Sequence, residues 1–120
     1  MAKVSLKRVY EPPSKGDGYR ILVDRLWPRG LSKSSVKVDR WLKEVAPSDS
    51  LRKWFGHDPL KWKSFLDKYR AELADSAAFT ELMREVDAHP AVTLVYSARD
   101  ETHNQALALK MFIEEKLKKN

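Results

Sequence analysis

Ala91-Val92-Thr93-Leu94-Val95-Tyr96 runs directly into Ser97-Ala98-Arg99-Asp100-Glu101-Thr102-His103-Asn104. The first six residues are β-branched or apolar almost throughout. Such a run predicts a strand buried on both faces rather than one with a wet side. The next eight turn the chain, and Thr102 with Gln105 forms a Thr-x-x-Gln capping box that predicts a helix start there. Ala106, Leu109, Phe112, Ile113 and Leu117 follow at helical spacing. Lys116, Lys118 and Lys119 place cations at the negative pole of that last helix. A buried strand feeding a helix is the unit of a parallel sheet, and the rest of the chain repeats it.

Upstream, Ser76 is an N-cap before Phe79, Leu82, Met83 and Val86, a helix that Pro90 ends. Asp58-Pro59 predicts another helix start, with Trp62, Phe65, Leu66, Tyr69 and Leu73 along one face. Ser48 caps a short helix through Phe55, stopped by Gly56, in which Trp54 and Phe55, with Trp62, are expected to close the core. Residues 36–45 fit a short strand or a helical turn equally well. Tyr19 to Val23 predicts a second buried strand, and Val4, Leu6 and Val9 a half-buried one ending near Tyr10. The prolines and glycines of residues 11–18 make a loop between them. The expected architecture is a single 1–120 α/β domain: a small, mainly parallel sheet of three to four strands flanked by helices in two or three layers.

The chain has 120 residues, 23 Lys and Arg against 17 Asp and Glu, a net charge of +6 and no cysteine. The missing cysteine excludes disulfides, thiolate zinc sites and a cysteine nucleophile. The longest stretch free of charged residues, Ala88 to Ala98, has eleven residues, too short for a bilayer span of about 20. No signal-like apolar segment follows the basic N-terminus, so a cytoplasmic location is expected. His57, His89 and His103 are scattered, so no metal and no cofactor is expected.

Ligands of parallel sheets bind beyond the carboxyl ends of the strands. Two segments leave those ends, and both are dense in polar residues. Asp24-Arg25-Leu26-Trp27-Pro28-Arg29-Gly30 sets two guanidiniums around a tryptophan. Arg25 and Arg29 suit a phosphate or carboxylate, and Trp27 is either a stacking surface or a plug at the core edge. In the second segment Ser97, Arg99, Asp100 and Asn104 are expected around an anion at the free amides of a helix start. His103, expected in the first helical turn, is a candidate general base, as is Asp24. Ser97 and His103 allow a nucleophilic pair, but no Gly-x-Ser-x-Gly elbow accompanies them. His57 stands beside Asp58, whose role as a helix cap explains the pair.

Lys7-Arg8-Val9-Tyr10, Leu22-Val23-Asp24-Arg25-Leu26-Trp27-Pro28-Arg29-Gly30, Trp41-Leu42-Lys43-Glu44-Val45-Ala46-Pro47-Ser48, Trp54-Phe55-Gly56-His57-Asp58 and the 96–104 corner together resemble the YeaO-like branch of the bacterial domain-of-unknown-function family 488. The resemblance spans nearly the whole chain. It implies a small α/β protein of a bacterial or archaeal cytoplasm and supplies no settled activity. The wider family often carries Cys-x-Glu-Lys-Asp after the last strand and Cys-His-Arg at the helix start. Here those positions read Tyr96 to Asp100 and Asn104-Gln105-Ala106, so thiol chemistry there is excluded.

Three functions fit these residues. First is a binder of, or an enzyme acting on, a small anionic ligand held by Arg25, Arg29 and Arg99. Second is a nucleic-acid module, from the +6 charge with Trp27, Trp54 and Trp62. Third is an interaction or assembly protein without chemistry. The oligomeric state is left open. The first requires the two polar segments to meet in one pocket.

Overall fold

The computed structural model describes residues 2–119. Four parallel strands, β1 (Lys3–Arg8), β2 (Tyr19–Leu22), β3 (Arg40–Trp41) and β4 (Ala91–Tyr96), lie in the order β1-β4-β2-β3. β4 is thus flanked on both sides, with Leu94 level with Leu6 of β1 and Ile21 of β2. That central place accounts for its unbroken apolar run: Val92, Leu94 and Tyr96 enter the main core, and Val95 enters a smaller cluster with Val9, Leu22 and Val36.

The helices α2 (Asp49–Phe55), α3 (Trp62–Leu73), α4 (Ala77–Ala88) and α5 (Gln105–Lys119) all contribute to the main core. Ser48 and Ser76 cap α2 and α4 through the amides of Leu51 and Phe79, and Gly56 stops α2 in the left-handed region. Asp58 caps a 3-10 turn, Pro59–Lys61, that leads straight into α3. Phe55 stacks on Phe65 at 4.1 Å, and Tyr69, fully buried, donates its hydroxyl to the Val45 carbonyl at 2.5 Å. Trp62 packs against this core, but Trp54 stays outside it, with the Lys61 and Lys68 ammonium groups each 5.1 Å from its ring. The reason is the helical register, which turns Phe55 inward and its neighbour outward.

Residues 36–45 hold both kinds of structure. α1 (Lys33–Val36) ends there, β3 follows, and a 3-10 turn covers Lys43–Val45. Both early strands end sooner than their apolar patterns suggest, at Arg8 and Leu22, although the amides of Val9 and Val23 still bond to Tyr96 and Val95. The capping box is also corrected. α5 starts at Gln105, and its cap is Asn104, whose side-chain oxygen accepts from the Leu107 amide at 2.8 Å. Gln105 instead reaches across the fold to Asp24.

The 9–18 connection is tied to β1, β2 and β4 through Asp17. Asp17 and Arg20, both buried, pair at 2.6 Å, and Lys7 joins Asp17 at 2.8 Å. Arg20 also donates to the carbonyls of Val36 and Lys37, and Thr93 to that of Asp17. Burial works against the charge of Asp17, but bonds from Lys7, Ser14 and Arg20 outweigh it and hold its pKa far below the ordinary carboxylate range. Gly18, at φ +65°, lies so close to Ala91 that a β-carbon would stand 2.3 Å from the Ala91 carbonyl oxygen.

Candidate functional site

β2 and β4 release the chain at the same edge of the sheet, and a cavity of about 370 Å³ opens beyond them. Asp24 and Arg25 enter it from the β2 side, and Ser97 and Ala98 from the β4 side. Ala46 and Pro47 come from the segment after β3, Asp49, Arg52 and Phe55 from α2, Phe65 from α3 and Gln105 from α5. Its size matches the lower end of small-molecule sites.

Asp24 is 7% exposed. Its carboxylate accepts from the Ser97 amide at 3.0 Å and from the Gln105 side chain at 2.6 Å. Burial pushes its pKa up, against the pull of bonds from the Ser97 side chain and amide, of Gln105 and of nearby His57. The backbone of Asp24 is held as well, because the Trp41 indole donates to its carbonyl at 2.7 Å.

The two arginines of the cavity are held differently. Arg25 donates from Nη2 to the Ala46 carbonyl at 3.0 Å, with longer contacts to Pro47. These partners are neutral, and among the described residues no carboxylate lies in ion-pair range of Arg25. Arg52 has only an exposed contact to Asp49 at 3.4 Å, a pair that contributes little in water. Arg8 supports the opposite wall by donating to the carbonyls of Ser97 and Ala98.

His57 also lines the cavity. Its backbone is left-handed, at φ 56°, which is uncommon for a side-chain-bearing residue. Its Nδ1 lies 3.0 Å from the His103 carbonyl. A carbonyl only accepts, so Nδ1 carries a proton and donates it to His103.

The other sequence candidates stand outside this lining. Trp27 donates its indole N–H to Leu31 at 2.7 Å and packs edge-on to Trp41 under the small cluster. Arg29 and Arg99 are exposed. Asn104 is fully buried and spends its amide on the Leu107 N–H and the Asp100 carbonyl. His103 precedes the helix rather than sitting in its first turn, and its ring pairs with Asp100 at 3.0 Å. The amides of Thr102 and His103 are bonded by the Asp100 carboxylate, whose pKa falls to about 2 through the Thr102 amide first and then Thr102 and His103 side-chain bonds. The amides expected to receive an anion there are therefore already occupied by the chain. Among the described residues no hydrogen bond joins Ser97 to His57 or His103, and no cluster of His, Asp and Glu has the arrangement of a metal site.

Sequence reading did not select Arg52, His57 and Gln105 as site residues. A capped α2 that ends at Gly56 is visible, but the folding of that helix end over the edge of β2 and β4 is a long-range event without a local pattern.

Residues 3–120 match the family described as the inactive DUF488-N3 subclade. The chain belongs to this subclade. It is 43% identical over 106 residues to the uncharacterized protein YeaO of Escherichia coli K12, covering 88% of this chain and 92% of that one. It is 42% identical over 107 residues to the uncharacterized protein Rv3073c of Mycobacterium tuberculosis H37Rv, covering 89% and 90%. No solved structure matches it. Among the described residues no helix is long and apolar enough to cross a membrane.

Proposed function

We propose that this chain binds a small anion, a phosphate or a carboxylate, in the cavity beyond β2 and β4, and that it holds the ligand without transforming it. The observation that carries this reading is Arg25. Its guanidinium lines the cavity and is oriented by the neutral carbonyls of Ala46 and Pro47, so its charge is not neutralised by an acid of the chain. Nε and Nη2 are held by those carbonyls, and the N–H groups of Nη1 are left to donate to an anion. Arg52 adds a second cation, whose exposed pair with Asp49 is cheap to exchange.

Holding rather than turnover is favoured by the pairing of polar groups. Ser97 has no histidine bonded to it, and His103 is engaged with Asp100 outside the cavity. The description of the subclade as inactive agrees. The nucleic-acid reading has less support: Lys7, Arg20, Arg40, Arg70, Arg84 and Lys110 are ion-paired within the chain.

Crystals grown with phosphate or sulfate test the proposal. Density is expected between Arg25 and Arg52, absent in Arg25→Ala. Anions found only on exposed lysines of α3 and α5 would overturn it.

A further inference from the structure

The cavity is graded from floor to mouth. Asp24, Phe55 and Phe65, all buried, make the floor, whereas Arg52 and Leu26 are exposed at the mouth, Leu26 to 73%. The polar atoms follow the same gradient. Asp24 accepts from the Ser97 amide and hydroxyl and from Gln105, which leaves about one of its roughly four acceptor positions unused. Gln105 donates its amino group to Asp24, so its carbonyl oxygen is a second acceptor. The inner part of the cavity therefore offers acceptors, the mouth offers guanidinium donors beside the exposed Asp49 carboxylate, and aromatic and aliphatic surface lies between.

An anion alone uses only the mouth. It leaves the acceptors without donors and brings negative charge toward a buried carboxylate, which is unfavourable in a low-dielectric site. A ligand with an N–H or O–H group at the far end satisfies both ends.

We infer that the ligand is bifunctional: an anionic group held by Arg25 and Arg52 at the mouth, an apolar or aromatic body against Phe55, and a hydrogen-bond donor directed at Asp24. This rests on the anion-binding reading and names the ligand class for that site. Asp24 is thereby a specificity residue rather than an acid or base.

Three benzoates separate the parts. 4-Hydroxybenzoate and 4-methylbenzoate have nearly the same shape and differ in one donor, and benzoate lacks either substituent. Titrating the full chain with each, the hydroxyl compound is expected to bind about tenfold tighter than the methyl compound, the size of one charge-assisted hydrogen bond. In D24N, with folding checked by its thermal transition, the ratio falls to about twofold because the acceptor loses its charge. In R52A both affinities drop and the ratio stays. Equal binding of the hydroxyl and methyl compounds, with arginine-dependent binding of benzoate, overturns the bifunctional ligand and leaves the anion site standing. Absence of arginine-dependent binding by all three benzoates and by phosphate overturns both.

Discussion

Asp24 gives its carboxylate oxygens to the Ser97 amide and the Gln105 side chain while keeping almost no contact with water. Burial raises its pKa, so the folded protein holds this proton more tightly than the unfolded chain. By linkage, the contribution of Asp24 to stability is fully present below the unfolded carboxylate pKa and is lost as pH rises through the raised folded value. At neutral pH the residue therefore carries a stability cost. D24N removes the charge, and a flip of the Gln105 amide lets both side chains stay bonded. The variant is expected to melt a few degrees above wild type at neutral pH, an advantage that shrinks as pH falls toward the acid range. Thermal scans across pH check this, and a D24N transition below wild type at neutral pH contradicts it. Tyr69 makes the opposite case. Tyr69→Phe leaves the Val45 carbonyl without its 2.5 Å donor in the core, at a cost of about 1–2 kcal/mol measurable by urea denaturation.

At the scale of elements, the 9–18 connection is held by charge and by backbone geometry. Asp17→Ala strands the buried Arg20 guanidinium and is expected to cost roughly 3 kcal/mol in chemical denaturation. Gly18→Ala places a β-carbon against the Ala91 backbone at a φ that side chains rarely adopt, and is expected to cost about 3 kcal/mol or more. The elements themselves were legible wherever a local signal controls them: the side chains of Ser48, Asp58 and Ser76 accept from the first amides of their helical segments, and Gly56, without a β-carbon, takes the left-handed backbone that ends α2. The α5 start was not, because two local patterns compete. Thr-x-x-Gln fits a capping box, yet Asn104 is an equally good cap, and the buried Asp24, 81 residues away, draws Gln105 out of the box.

Across the whole molecule, the parallel sheet was readable because a strand central in the order β1-β4-β2-β3 must be apolar on both faces. The candidate site was legible in part, since the edge where ligands of such sheets bind follows from topology, and Asp24, Arg25 and Ser97 line the cavity there. Arg52 and His57 were not, because α2 is held near that edge by tertiary packing, Phe55 on Phe65 among it, a contact between segments whose spacing carries no chemical motif. The central claim is that these distant pieces form one anion site. Titration of the full chain with inorganic phosphate at constant ionic strength, followed by amide correlation spectra, tests it most directly. Saturable shifts are predicted at Arg25, Ala46, Arg52, Ser97 and Ala98, with a Kd on the order of 1 mM, and their loss in Arg25→Ala. Shifts spread without saturation over the lysines of α3 and α5, unchanged in Arg25→Ala, would contradict it.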